Sequence, residues 1–317
     1  MTATPARLFS DDELAALALS PRAQLQAHLG AGDAAAAAAV VADLETELGR
    51  QIDRYTHWIS TLFAHAAERH GPSGSAALVH ATREMFLRHP DPGVAGPDLP
   101  ETVAPAVATA ARAGDPGAAL DRFDAAVDHW RRLVDLYRDW ISALLSDLYR
   151  RHGPDELEAA HRRVGEATMR VLTATIDGPP RDLVIGLVTL LKAHFSEVEL
   201  AEDDDVVTIV QDPCGTCGRQ VAQGRHGPPL DLAVVEERHA VTWGRGATTA
   251  YRTHVPIWHV ALATELLGAP WPVNQCPTGL VAGPCRILLY KDPRHPAASA
   301  GIPGGGPTPD LERETTP

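Results

Sequence analysis

Residues 198–219 read VELAEDDDVVTIVQDPCGTCGR. Val198 and Leu200 lie on one side of an acidic run at 202–205, and Val206, Val207 and Ile209 on the other. Two short apolar runs flanking a polar tip predict strand, tight turn, strand. The second strand runs directly into Asp212-Pro213-Cys214-Gly215-Thr216-Cys217-Gly218-Arg219. Downstream, 256–267 has helical spacing with Trp258, Ala261, Leu262 and Leu266 inward, 271–274 and 286–290 are short strands, and 230–235 is a strand or a loop. The region from 197 to 293 is therefore expected to be a small mixed domain with a short antiparallel sheet.

Upstream of 197 the periodicity is helical. Ser10-Asp11-Asp12-Glu13 has the pattern of a capping box, and Ser20-Pro21 gives a second start with proline at the first helical position. From Asp33 onward the chain is helical over a long span. It also repeats. Asp53, Tyr55, Trp58, Ile59 and Ser60 recur as Asp135, Tyr137, Trp140, Ile141 and Ser142, and Arg69-His70-Gly71-Pro72 recurs as Arg151-His152-Gly153-Pro154. Both matches stand 82 positions apart (58 to 140, 70 to 152). One offset for two matches implies a duplication, with units at about 40–89 and 122–175. Each unit reads as a long helix, a Gly-Pro break and a second helix. Leu133, Tyr137, Trp140, Ile141, Leu144 and Leu148 share one face of the second unit, which assigns Tyr137 and Trp140 to packing between the units. His57, His70, His129 and His152 are expected at the surface or at helix ends. The proline-rich stretch within 84–112 is expected to link the units, and 181–196 reads as a buried helix. The fold class is α+β: a helical domain, 1–196, a mixed domain, 197–293, and a disordered tail, 294–317.

All four cysteines of the chain, Cys214, Cys217, Cys276 and Cys285, fall in the mixed region. His226, His239, His254 and His259 lie among them. Thiolate and imidazole are ligands preferred by zinc and iron, and Cys-x-x-Cys on a glycine-rich turn lets two sulfurs converge. The candidate metal ligands are Cys214, Cys217, His254 and Cys285, with Cys276 the weaker member. Element ends carry them: Cys214 follows a strand, Cys285 begins one and His254 precedes a helix, which predicts convergence. His239 is a candidate ligand, general base or helper to a ligand, and Arg219, Arg245 and Arg286 are candidate anchors for a carboxylate substrate, with a surface salt bridge the alternative for each. The bland alternative is buried cysteine packed as a small hydrophobe. The acidic run at 202–205 reads as a solvated hairpin tip. Gly218-Arg219, not histidine, follows the Cys-x-x-Cys, so covalent haem attachment is unsupported, while haem held by histidine stays open.

These motifs carry a resemblance. The run from about 133 to 292 resembles a family of largely uncharacterised bacterial proteins. That family has a Leu-Tyr-x-x-Trp helix, Asp-Pro-Cys-Gly-x-Gly-Gly-Arg after a strand, His-x-x-Thr-Trp, Tyr-Cys-x-His-Cys and a last Pro-Cys-x-x-x-x-Tyr-Lys-Asp-Pro strand. Here they stand as Leu136-Tyr137 with Trp140, as 212–219, as His239 with Thr242-Trp243, as Tyr251-Arg252-Thr253-His254-Val255 and as Pro284-Cys285 to Tyr290-Lys291-Asp292-Pro293. Arg252 and Val255 replace cysteines of the family pattern, and Cys217 replaces a glycine. The resemblance implies rearranged ligands if the family site holds metal, and brings no activity with it. A looser likeness, of architecture alone, is to small-molecule hydrolase and vinyl-reductase-like sensor domains.

The chain has 317 residues, 44% apolar but only 5% aromatic, so the core must rest on alanine, leucine and valine. A net charge of −13 disfavours nucleic acid and anionic membrane as partners. No apolar run of about 20 residues predicts a membrane span. The N-terminus lacks a signal pattern, which points to the cytoplasm and to cysteines that are reduced or metal-bound. Two functions from different classes follow. One is a zinc- or iron-dependent enzyme acting on a small anionic or amino-acid-like molecule. The other is a non-catalytic ligand-binding or sensory module with a structural zinc site. The expected partner is a small molecule, and a homodimer is a candidate assembly.

Overall fold

The computed structural model describes residues 7–91, 102–174, 176, 178–292 and 295. The helical half contains α1 (Asp11–Ala18), α2 (Pro21–Gly30), α3 (Ala34–Arg88), α4 (Ala104–Arg112), α5 (Pro116–His152), α6 (Pro154–Ala174) and α7 (Pro180–Ala193). Ser10 closes the capping box on α1, its hydroxyl accepting from Glu13 N and its own amide donating to the Glu13 carboxylate. Of the expected linker at 84–112, residues 92–101 lie outside the described residues. Helix α3 continues to Arg88 and α4 begins at Ala104. Among the described residues no helix is long and apolar enough to cross a membrane. The expected tail, 294–317, lies outside the described residues except for His295.

The same break interrupts both long helices. Gly71 takes φ 66° inside α3 and Gly153 takes φ 83° after α5. Glycine adopts this region without a Cβ penalty, and the proline that follows has a φ suited to restarting a helix. The two breaks meet in space, with the His70 and His152 rings stacked at 3.8 Å. His70 sits at its helix end as expected but is not left to solvent. The buried Glu156 carboxylate accepts from His65 Nε2 and His70 Nε2, each at 2.8 Å, and from Arg69 at 3.3 Å. Each unit's tryptophan packs on the other unit's second helix. Trp58 lies against His161 of α6, while Trp140 donates to Thr82 Oγ1 and packs on Phe86. Tyr55 and Tyr137 stack across the same junction at 6.4 Å.

The mixed half contributes β1 (Val198–Glu202), β2 (Val206–Gln211), α8 (Cys217–Ala222), β3 (Val234–Val235), β4 (Thr248–Thr249), a π-helical turn (Pro256–Leu262) continuing as α9 (Ala263–Leu267), β5 (Val273–Gln275) and β6 (Cys285–Tyr290). The main sheet has order β1-β2-β6-β5 and is antiparallel throughout. Inward positions alternate along β6, where Cys285, Ile287 and Leu289 are buried. Trp258 and Leu262 point inward as their spacing predicts, but Leu266 is 40% exposed because it falls on the outer side of α9. One apolar core runs through both halves, joining Tyr55, Trp58 and Leu144 to Ile257, Trp258 and Ile287.

The acidic hairpin differs from its sequence reading at one residue. Asp203, Asp204 and Asp205 are exposed. Glu202 is not part of that solvated tip. Its carboxylate accepts from the Leu8 and Phe9 amides and pairs with Lys291 Nζ at 2.7 Å, tying the N-terminal segment to the sheet.

Candidate metal centre

The register of β2 on β6 builds the centre. Gln211 pairs with Cys285, so the chain leaving β2 at Asp212 passes beside the first residue of β6. Cys214 arrives there two residues later. Gly215 allows the turn to press against the end of α7. A Cβ at this position would stand 2.1 Å from the His194 carbonyl, and the Gly215 amide donates to Ser196 Oγ at 2.8 Å. Helix α8 then starts at Cys217. The Cys214 and Cys217 sulfurs lie 3.9 Å apart. The sulfurs of Cys214, Cys217 and Cys285 all fall within 4.8 Å of one another, and the three residues are 3%, 5% and 3% exposed. This buried cluster could hold a metal ion. A tetrahedral zinc with bonds of about 2.3 Å sets its sulfurs about 3.8 Å apart, so the Cys214–Cys217 separation already matches a mononuclear site.

Arg252 completes the surroundings and is fully buried. Its Nε–H donates to Cys217 Sγ at 3.4 Å, Nη1 donates to the Pro277 and Gly279 carbonyls, and Nη2 donates to the Val281 carbonyl. Cys217 is held well below the ordinary thiol range, first by the Cys214 and Cys285 thiols and then, against burial, by the Arg252 charge. Cys214 is pushed up to about 11, chiefly by Cys217. Cys285 is pushed up by Cys214, Cys217 and Cys276. Cys217 is thus the sulfur most readily deprotonated of the three, and a thiolate is the form a soft cation binds.

The other expected residues are placed differently. His254 lies outside the three-sulfur set. Its Nδ1 faces the Tyr251 carbonyl at 2.6 Å, so Nδ1 carries the proton and Nε2 keeps a lone pair with no hydrogen-bond partner among the described residues. The ring packs on Trp258 at 4.9 Å and Trp58 at 5.2 Å, and burial lowers its basicity. His239 is a cap: Nδ1 accepts from Val241 N, and Nε2 meets Asp155 Oδ1 at 2.8 Å. Arg219 is engaged by Asp135 Oδ1 at 2.6 Å and by the His194 carbonyl at 2.8 Å. His226 meets the Leu232 carbonyl, and burial first, then His254, brings His259 down to about 3.

Two features were not singled out from the sequence. One is Arg252 as a partner of the cysteines. The other is a buried polar network on α5, where fully buried Arg138 pairs with Asp135 and Asp139, and Gln220 of α8 donates to Asp139 and Ser142. Burial, the largest influence, pushes the Asp139 carboxyl up, but Arg138, His89, Gln220 and Arg225 together outweigh it and hold the group at about 2. Nothing in the sequence signals its burial: Asp135, Arg138 and Asp139 stand at i, i+3 and i+4 on the side of α5 away from Leu133, Tyr137 and Leu144, where charges read as a solvated face.

In comparisons with known proteins, the chain matches no protein-family model, no curated protein and no solved structure.

Proposed function

We propose that the protein is a non-catalytic module built around a structural zinc or iron ion held by Cys214, Cys217 and Cys285. The observation that carries this reading is the convergence of three nearly inaccessible sulfurs at a spacing suited to one tetrahedral ion. The ion ties together three separate pieces of chain: the exit from β2, the start of α8 and the start of β6. A catalytic ion keeps an open position for water or substrate, and the burial of these sulfurs speaks against one. The residues that would have served an enzyme are otherwise occupied, Arg219 by Asp135 and His239 by Asp155. Ligand binding or sensing is then the role left to the module, with the ion holding its scaffold. Thermal unfolding before and after chelation tests this reading. Removing the ion should lower the midpoint and adding zinc should restore it, because binding energy is folding energy when the site forms only in the native state. An unchanged midpoint on complete metal removal would contradict a structural role.

A second reading has one observation in its favour. The Nε2 of His254 has no hydrogen-bond partner among the described residues and could act as a base beside an ion held by the three sulfurs alone, whose fourth position would stay open. That reading is the metal-dependent enzyme acting on a small anionic or amino-acid-like molecule. It requires metal-dependent turnover that is lost in His254→Gln.

A further inference from the structure

Three buried sulfurs leave one corner of a tetrahedron, and two side chains compete for it. His254 has an Nε2 with no hydrogen-bond partner among the described residues. Cys276 is half-buried at the head of the 276–284 loop, whose far end is Cys285. We propose that Cys276 is the fourth ligand and that Arg252 is the positioning residue that delivers it. This rests on the thiolate reading above.

The loop between β5 and β6 is held by one rigid group. Three of its carbonyls, those of Pro277, Gly279 and Val281, converge on the Arg252 guanidinium, and the same guanidinium donates to Cys217 Sγ. A planar fork with fixed donor directions registers its partners against one another in a way that a flexible ammonium cannot. The loop is therefore indexed to the sulfur cluster through Arg252. It is also pressed onto α8. A Cβ on Gly218 would stand 1.9 Å from the Ala282 carbonyl, so that position admits only glycine at this distance. At its middle, the Gly279 amide donates to the Ala247 carbonyl at 2.8 Å. With both flanks fixed, Cys276 directly follows Gln275, which pairs with Arg286, so one further step of the β5–β6 register sets Cys276 opposite Cys285.

His254 has less freedom to serve. Its ring is wedged among Trp58, Tyr251 and Trp258, with centroids at 5.2, 5.1 and 4.9 Å, and Nδ1 is pinned to the Tyr251 carbonyl. Charge points the same way. Four thiolates around a divalent ion carry a net −2, and a buried guanidinium in direct contact offsets half of it.

Substitution with cobalt(II) tests the proposal, since sulfur-to-cobalt charge-transfer intensity counts thiolates. The wild-type chain should show a four-thiolate spectrum. Cys276→Ser should retain cobalt and lose about a quarter of that intensity, one ligand of four. His254→Gln should leave the spectrum unchanged. Arg252→Met should lose the same thiolate although Cys276 is present, and should bind about 10- to 100-fold more weakly, as loss of an outer-shell partner typically does. Zinc should protect Cys276 from maleimide in the wild type and not in Arg252→Met. If Cys276→Ser keeps the full wild-type spectrum, or His254→Gln changes it, the proposal is overturned while the thiolate centre stands. If the wild type binds neither cobalt nor zinc, the centre itself is overturned. The Cys276→Ser arm decides the matter by itself if Arg252→Met does not fold.

Discussion

Arg252 Nε donates to the sulfur of Cys217 at 3.4 Å, from a side chain with no exposed surface. A buried guanidinium is costly unless its charge and its donors are all answered. Here the Cys217 sulfur and three loop carbonyls accept from the guanidinium, so the sulfur cluster and the β5–β6 loop form one unit.

The tightest contact in that unit is at Gly218. In Gly218→Ala the new methyl group would collide with the Ala282 carbonyl, and backbone must shift to admit it. The expected cost is about 1–3 kcal/mol, as for overpacking elsewhere. Urea denaturation measures it. Metal retention should fall in parallel, because the shift moves the loop away from α8. A variant as stable as the wild type with full metal content would show that the loop's approach is not needed.

At the meeting of the two helix breaks, Glu156 is the shared acceptor. Glu156→Gln keeps the shape but cannot satisfy His65, His70 and Arg69 together. The loss should be about 1–3 kcal/mol, the cost of leaving a buried donor unanswered. Amide exchange around residues 65–72 should quicken, and unaltered protection there would count against the hinge depending on this carboxylate.

Two half-buried imidazoles set an acid limit. His194 and His259 are brought down to about 3, burial being the first cause in both. The unfolded chain takes up a proton on each near pH 6.5 while the folded chain does not. Their contribution is therefore complete above pH 6.5 and is lost as pH falls toward 3. The slope is at most about 1.4 kcal/mol per pH unit for each imidazole. Urea midpoints of metal-free protein should drop between pH 7 and pH 5, and constant midpoints would mean that these rings are hydrated.

The acidic tip separates into two parts. Replacing Asp203, Asp204 and Asp205 by asparagine should leave metal content and stability unchanged, since all three are exposed. Glu202→Gln should release the N-terminal segment, and Lys291 should lose its partner. Proteolysis near Leu8 would report the release.

The α+β class was legible because period two replaces period 3.6 near residue 197, and the helix breaks because Gly-Pro recurs at one offset. The sulfur cluster was legible from the Cys-x-x-Cys turn and from Cys285 at a strand start. His254 was grouped with the sulfurs because both lie at element ends, but the aromatic packing of Trp58, Tyr251 and Trp258 that claims its ring comes from segments nearly 200 residues apart. Arg252 was hidden for a related reason. A lone arginine carries no local mark of burial, and its partners are backbone carbonyls of a loop 25 to 29 residues further on. Glu202 looked like its three aspartate neighbours, since only tertiary contact with Leu8, Phe9 and Lys291 sets it apart.

The most direct measurement is the metal content of the chain purified without added metal, set beside Cys214→Ser. The account predicts about one zinc or iron per wild-type chain, four-coordinate and closed, and a near-complete loss in the variant. A wild-type chain free of both metals that still folds with the same stability, or a Cys214→Ser chain that keeps its ion, would contradict the thiolate centre.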